Sequence, residues 1–231
     1  MAASLGKVLV IGATGQTGSK MICELLDADQ PRASKVVAYG NTRMPAYGGR
    51  NAALFTAMQA PMEKLAGERG EELHGFDAIF IHVGTQRRKA GLDGQIKLEY
   101  DDTLAVAKHA RQGGCRDCHI VSSMGASSNG SFTYMKTKGR IEEALRTVGF
   151  ERLVIYRPAM LYGGDRDTFF KRVLFNVVGS GKIDVAQVAR AMRVVALRPP
   201  SQPVEASTLI WEQVFFFEKI CTIIVTQLLR T

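Results

Sequence analysis

Tyr134 and Lys138 stand four residues apart in "SFTYMKTKGRIEEAL", a spacing that puts both side chains on one face of a helix. A lysine cation beside a phenol favours the phenolate and suits the tyrosine for moving a proton to or from a substrate oxygen. Ser122 and Ser123 close the preceding apolar run, "CHIVSS", where a hydroxyl can hold a substrate carbonyl. Of the two, Ser123 is the expected choice. A tyrosine and a lysine at this spacing arise by chance on many helices, so the pair takes its weight from a second pattern. "VLVIGATGQTGSKM" sets Gly12, Gly15 and Gly18 between an apolar strand and a helix, with Thr14, Gln16 and Thr17 filling the turn. In such a turn the first glycine allows the tight bend and the second lets a pyrophosphate approach the backbone. The third lets the helix lie close to the strand, and the helix N-terminus meets the phosphate charge.

The glycine spacing is a variant of the dinucleotide fingerprint, and the end of the next strand tests which dinucleotide it serves. An acidic residue there binds ribose hydroxyls in NAD sites, whereas a basic one meets the 2′-phosphate of NADP. The sequence reads "AYGNTRM", with no Asp or Glu between Gln30 and Pro61 and with Arg43 as the available cation. NADP(H) is therefore expected over NAD(H).

A third pattern competes with these. "GGCRDCHIVSS" contains Cys115-Arg-Asp-Cys118-His119, the spacing of haem attachment, of a redox dithiol or of half a zinc site. Reactive dithiols draw thiolate stability from a helix N-terminus, but these cysteines follow a helix C-terminus, whose partial charge opposes it. A zinc site needs further ligands, and Cys23 and Cys221 are remote. The stretch reads as a glycine helix stop at Gly113-Gly114, followed by small residues entering a strand.

The elements that must position these residues alternate along the chain. "KVLVIG" (7–12), "KVVAYG" (35–40), "DAIFIHVG" (77–84), "CHIVSS" (118–123) and "RLVIY" (152–156) read as buried strands, with a further strand near 53–60. Helices are expected over 16–28, 95–112, 133–148 and 182–197. Short continuous apolar strands between helices indicate a parallel sheet covered on both faces. The fold class is thus α/β, a doubly wound, mostly parallel Rossmann sheet over residues 1–200, with 201–231 as a C-terminal segment in a short substrate or lid region. The last segment has helix-like apolar intervals at Phe217, Ile220, Ile224 and Leu228, although its β-branched content also suits a strand.

Length and charge narrow the function classes. The chain has 231 residues, 46% hydrophobic and 23% charged, with a net charge of +8. Its basic residues are scattered, with Arg87-Arg88-Lys89 the only run, which favours a phosphate-bearing small ligand over nucleic acid. Four cysteines do not make a disulfide framework in a chain of this length. Neither a secretory signal nor a span of about 20 apolar residues is present, and a soluble cytoplasmic protein is expected.

At "GATGQTG", "HVGT" (82–85), "IVSS", "YMKTK" and "YRPAMLYG" (156–163) the chain resembles the short-chain dehydrogenase/reductase superfamily, in its atypical or extended branch. "GTQRRKAG", "GGCRDCHIVSSMGASSN" and "VARAMRVVALRP" are similar to the Tat-interacting-protein group of oxidoreductases. The resemblance covers roughly residues 5–200. It implies an NADPH-binding Rossmann domain, Tyr134 as catalytic acid/base, Lys138 on the nicotinamide ribose and Ser123 on the substrate carbonyl. Gly84 and Thr85 would border the adenosine side, and Pro158 with its neighbours the nicotinamide face. Protein partners in transcription and nuclear import, and a nuclear fraction, are implied in the same way.

Three departures stand against that pattern. Asn41-Thr42 precede Arg43 where relatives have a basic pair, and the acidic residue that commonly contacts adenine is replaced around Ala60-Pro61. The segment between Gly164 and Ile183 is shorter than in relatives, and the tail from about 204 does not match. Two functions stay open: an NADP(H)-dependent oxidoreductase acting on a small carbonyl or alcohol, or a regulatory or scaffold protein that binds NADPH with little turnover.

Overall fold

The structure is a computed structural model that describes residues 4–84, 87–163, 182–198 and 221–227. Its centre is a parallel sheet made of β1 (Leu5–Ile11), β2 (Ala33–Gly40), β3 (Phe55–Gln59), β4 (Ala78–Ile81), β5 (Asp117–Val121) and β6 (Arg152–Pro158). Their spatial order is β3-β2-β1-β4-β5-β6, the doubly wound arrangement whose ligands sit beyond the carboxyl ends of the strands. A short parallel pair, β7 (Met160–Tyr162) and β8 (Lys182–Asp184), lies apart from it. The tail left open between helix and strand forms β9 (Cys221–Gln227), antiparallel to β6.

Strand alternation explains why these segments read as unbroken apolar runs. Val8 and Val10 enter one core with Phe80, Val154 and Tyr156, whereas Leu9 and Ile11 enter the other with Ile79, Ile81 and Ile155. Both sets are buried because helices cover both faces. The first face takes α1 (Gln16–Leu26) through Met21, Ile22 and Leu25, and α6 (Val185–Ala196) through Val188 and Met192. The second takes α2 (Met62–Ala66), α4 (Thr103–Gln112) and α5 (Thr133–Arg146) through Leu65, Val106, Ile141 and Leu145. Arg193 of α6 pairs with Glu24 of α1 at 2.7 Å. Buried Arg152 donates to the carbonyls of Ala196 at 2.9 Å and Arg198 at 2.8 Å, closing the carboxyl end of α6.

Three elements differ from the sequence reading. The helix expected over 95–112 begins earlier and has three parts: α3 (Arg87–Ile96), kinked at Gly91 with φ 72°, a π-helical turn (Lys97–Asp102), and α4. The helix expected from 182 starts at 185, because the Asp184 carboxylate accepts from Ala186 N at 2.7 Å and fixes the N-terminus there. The strand expected over 77–84 ends at Ile81, leaving His82, Val83 and Gly84 as irregular backbone. The shortened stretch after Gly164 lies outside the described residues. So does the C-terminal segment, apart from β9.

One histidine is buried in the sheet, and a second, half-buried, follows the end of β4 with its ring nitrogens enclosed. His119 of β5 stacks on Phe80 with ring centroids 4.6 Å apart and shares a 3.0 Å hydrogen bond with the Tyr156 hydroxyl. Burial, with Arg152 and His82 nearby, holds it well below the usual imidazole range. Both ring nitrogens of His82 are enclosed without hydrogen-bond partners, and burial pushes it down to about 3. In the unfolded chain both titrate near 6.5, so below that pH the unfolded state takes up protons that the folded state refuses. Stability is therefore full above about pH 6.5 and lost progressively as pH falls, at up to ~1.4 kcal/mol per pH unit for each histidine. A urea midpoint that declines between pH 7 and pH 5 is expected; a level one contradicts this account.

Candidate functional site

The turn between β1 and α1 is shaped by glycine. Gly12 has φ +76°, and a Cβ there would lie 2.6 Å from the carbonyl oxygen of His82. A Cβ on Gly18 would lie 2.4 Å from the carbonyl oxygen of Gly12, so any larger residue must push helix and turn apart. Gly15 is the helix N-cap; no side chain caps α1, and its first turn carries no acidic residue. Thr17 is buried beneath the turn. The Gln16 amide Nε2 is buried with no hydrogen-bond partner. A helix N-terminus left open, with a buried donor beside it, is a ready anion site.

Above this turn opens a cavity of about 620 Å³, within the range of ligand pockets. Its lining includes Gly12, Thr14 and Gly15 of the turn, His82, Val83 and Gly84 after β4, and Asn41, Pro61 and Glu63. The glycine cradle, the open helix end and the volume together fit a dinucleotide. Thr85, expected beside Gly84, lies outside the described residues. Glu63, two residues beyond Ala60-Pro61, lines the same cavity and faces Lys97 at 3.6 Å. Asn41 accepts a hydrogen bond from Met62 N at 2.9 Å, tying the end of β2 to α2. Arg43 is exposed and donates to the Thr14 carbonyl at 3.2 Å. It lines a smaller cavity of about 230 Å³ together with Gln16, Ser19 and Lys20, and Lys20 is a second cation that the sequence reading passed over.

The Tyr134–Lys138 pair singled out in the sequence lies on α5. Lys138 is buried, and its Nζ donates to the carbonyl oxygen of Val83 at 3.0 Å. The same nitrogen lies 3.1 Å from Glu99 Oε2 and 5.9 Å from the centroid of the Tyr134 ring. Tyr134, one turn earlier, is 41% exposed. Ser122 is buried and donates to Glu142, which also accepts from Arg157 Nε at 3.0 Å. That serine is therefore committed, whereas Ser123 is half-buried and makes only a long 3.3 Å contact to the Met124 carbonyl among the hydrogen bonds seen. Buried Pro158 accepts from Met124 N at 2.9 Å, joining the ends of β5 and β6. Helix α5 reaches this loop closely because a Cβ on Gly139 would lie 2.2 Å from the Ser127 carbonyl carbon.

The fold thus gathers Gly12, Thr14, Gly15 and Gly84 around the large cavity, with Gln16 and Arg43 around the adjoining one. Lys138 joins them through Val83. Tyr134, Ser123 and Pro158 do not line that cavity; they stand farther along the same strand ends. Glu99 was not foreseen, since nothing in the sequence marks the π-helical turn that carries it. The Cys115 thiol is pushed up to about 12 and that of Cys118 well above its ordinary value, both by burial first.

Comparison with known proteins agrees with this geometry. The chain matches a family described as NAD(P)H-binding over residues 12–199. It is 35% identical over 158 residues to the rat (Rattus norvegicus) protein HTATIP2, across 67% of this chain and 62% of that protein. The chain therefore spans less than two thirds of that relative. It is 38% identical over 169 residues to the Eremothecium gossypii protein FMP52, mitochondrial, covering 71% and 69% of the two chains. The FMP52 of Candida albicans is 31% identical and likewise named mitochondrial. Among solved structures, the Bordetella bronchiseptica enzyme WbmH in complex with NAD+ shares the fold with a TM-score of 0.65 at 17% identity, over 83% of this chain and 71% of that one. UDP-glucose 4-epimerase from Thermotoga maritima does so with a TM-score of 0.61 at 18% identity, over 82% and 72%. The mitochondrial names overturn the cytoplasmic expectation. The features behind that expectation, no secretory signal and no long apolar span, bear on secretion and membrane crossing and not on a mitochondrial address. Among the described residues no helix is long and apolar enough to cross a membrane.

Gly18→Ala tests the cradle. The added methyl should displace the first turn of α1 and weaken NADPH binding at least about tenfold, read by titrating NADPH fluorescence, while the far-ultraviolet dichroism stays native. Unchanged affinity would remove this turn from the binding site.

Proposed function

The chain belongs to the NAD(P)H-binding family, and from that premise we propose that it is an NADP(H)-dependent oxidoreductase interconverting a small carbonyl compound and its alcohol. The observation that carries this reading is the place of Lys138. It sits on the same helix face as Tyr134 and is fastened to the Val83 carbonyl, whose residue also lines the dinucleotide-sized cavity. The helix that carries Tyr134 is thereby tied to the wall of that cavity.

The proposed roles are these. The Gly12–Gly18 turn and the open N-terminus of α1 take the pyrophosphate. Arg43 and Lys20, flanking one small cavity, take the 2′-phosphate, consistent with the absence of a carboxylate at the end of β2. By the family resemblance Gly84 borders the adenosine side and Pro158 the nicotinamide face, with Thr85 assigned to the adenosine side from that resemblance alone. Bound nicotinamide supplies the hydride chemistry. Ser123, free of the Glu142 network that holds Ser122, steadies the substrate oxygen, and Tyr134 moves the proton. Lys138 anchors the nicotinamide ribose. The FMP52 relatives are named mitochondrial, and the same compartment is proposed for this protein.

Two measurements test the reading. NADPH titration of wild type and Tyr134→Phe should give similar affinities, with turnover across a carbonyl panel falling at least about 100-fold in the variant. Binding without turnover in the wild type would move the function to a dinucleotide-responsive regulator. For cofactor choice, Arg43→Ala should lose about tenfold in NADPH affinity with NADH affinity nearly unchanged; equal losses would end the case for a phosphate clamp.

A further inference from the structure

Glu99 is a carboxylate with no exposed side-chain surface, and its partner Lys138 has 4%. Gln95 Nε2 donates to Glu99 Oε1 at 3.2 Å, leaving Oε2 to face Lys138 Nζ at 3.1 Å. The π-helical turn gives Glu99 its inward place. Within Lys97–Asp102, Leu98 lines the large cavity while Glu99 turns to α5. Lys97 meets Asp102 at 2.8 Å and Glu63 at 3.6 Å. These cavity-side charges satisfy one another, so the countercharge of Lys138 comes from Glu99.

We propose that Glu99 is a positioning residue that pins Lys138 against Val83 and cancels its charge, so that the cleft receives oxidised and reduced nicotinamide cofactor on nearly equal terms. The proposal rests on the dinucleotide-binding reading above. The oxidised nicotinamide ring carries a positive charge that the reduced ring lacks. A lone buried ammonium beside the cleft repels the oxidised form selectively, and in a low-dielectric wall that repulsion is large. A paired ammonium keeps its hydrogen bonds, holds its geometry and exerts little net field. Glu99 thereby adjusts which cofactor form the protein retains, a property separate from the proton transfer assigned to Tyr134.

The test is the ratio of dissociation constants for NADP+ and NADPH, measured calorimetrically without substrate on the whole chain. Interactions common to both forms, such as ribose contacts, cancel in that ratio. Glu99→Gln keeps the shape, removes the charge, and should raise the ratio about tenfold. Lys138→Met leaves Glu99 unbalanced and should lower it by a similar factor, although both affinities drop. The double variant should return to within about threefold of wild type. Equal losses for the two forms in both single variants would make the pair purely structural and overturn the proposal. If Glu99→Gln does not fold, as judged by dichroism, Lys138→Met and the double variant decide alone: a lowered ratio that the second restores supports it, and an unchanged ratio overturns it. A wild type that binds neither cofactor form overturns the dinucleotide reading itself.

Discussion

A charged group taken out of water must be paired and hydrogen-bonded, or it costs more than most folds can spare. Lys138 is such a group, and the way its ammonium is satisfied organises the site. Its partners come from two other places in the chain: the Val83 carbonyl at the carboxyl end of β4 and the Glu99 carboxylate in the π-helical turn. Meeting them ties α5, the helix that carries Tyr134, to the end of β4 and to the π-helical turn. The same contacts bring that helix to the wall of the cavity above the phosphate turn. Lys138 thus adds a polar tie to the apolar packing of Ile141 and Leu145 that already holds α5 to the sheet.

The sheet makes this arrangement possible by bringing distant loops to one edge. In the order β3-β2-β1-β4-β5-β6, β1 and β4 are neighbours, so the glycine turn after β1 and the His82–Gly84 stretch after β4 face each other. Their closeness is visible in the clash that any Cβ at Gly12 would make with the His82 carbonyl. The ends of β5 and β6 follow on the same side, joined by the hydrogen bond from Met124 to Pro158. The glycine turn, the His82–Gly84 stretch, Ser123 and Pro158 therefore follow consecutive strand ends, and their separation is set by strand spacing.

What could be read from the sequence was what is local. The glycine turn is legible because close backbone approaches at Gly12 and Gly18 leave no room for a Cβ, with Gly15 spaced between them. Tyr134 and Lys138 are legible because helical spacing puts them on one face. Ser123 could be preferred over Ser122, but the reason, the capture of Ser122 by Glu142 twenty residues on, is tertiary. Glu99, Lys20 and Glu63 were invisible for the same cause. Each acquires meaning only in the folded chain, where the π-helical turn sets Glu99 against Lys138, and where Lys20 and Glu63 reach cavities whose other walls come from remote segments. The π-helical turn itself lies inside a stretch whose apolar spacing suits an ordinary helix. The compartment is illegible in another sense, since a targeting address is recognised by a receptor and leaves no mark on the packing of the fold.

Cys115-Arg-Asp-Cys118-His119 shows the converse, a local pattern that tertiary geometry dissolves. Cys118 and His119 are consecutive on β5, and consecutive strand residues point to opposite faces. Cys118 enters the core beneath α4 and α5, while His119 stacks on Phe80 in the core beneath α1 and α6. One ion cannot be reached from both sides of a sheet. Cys115 and Cys118 do share a core, but burial raises both thiols, which works against the thiolate that redox or metal chemistry requires. The residues serve as small apolar fillers on one face and a stacked, hydrogen-bonded ring on the other. Their spacing is what a helix stop followed at once by a strand with two buried faces demands.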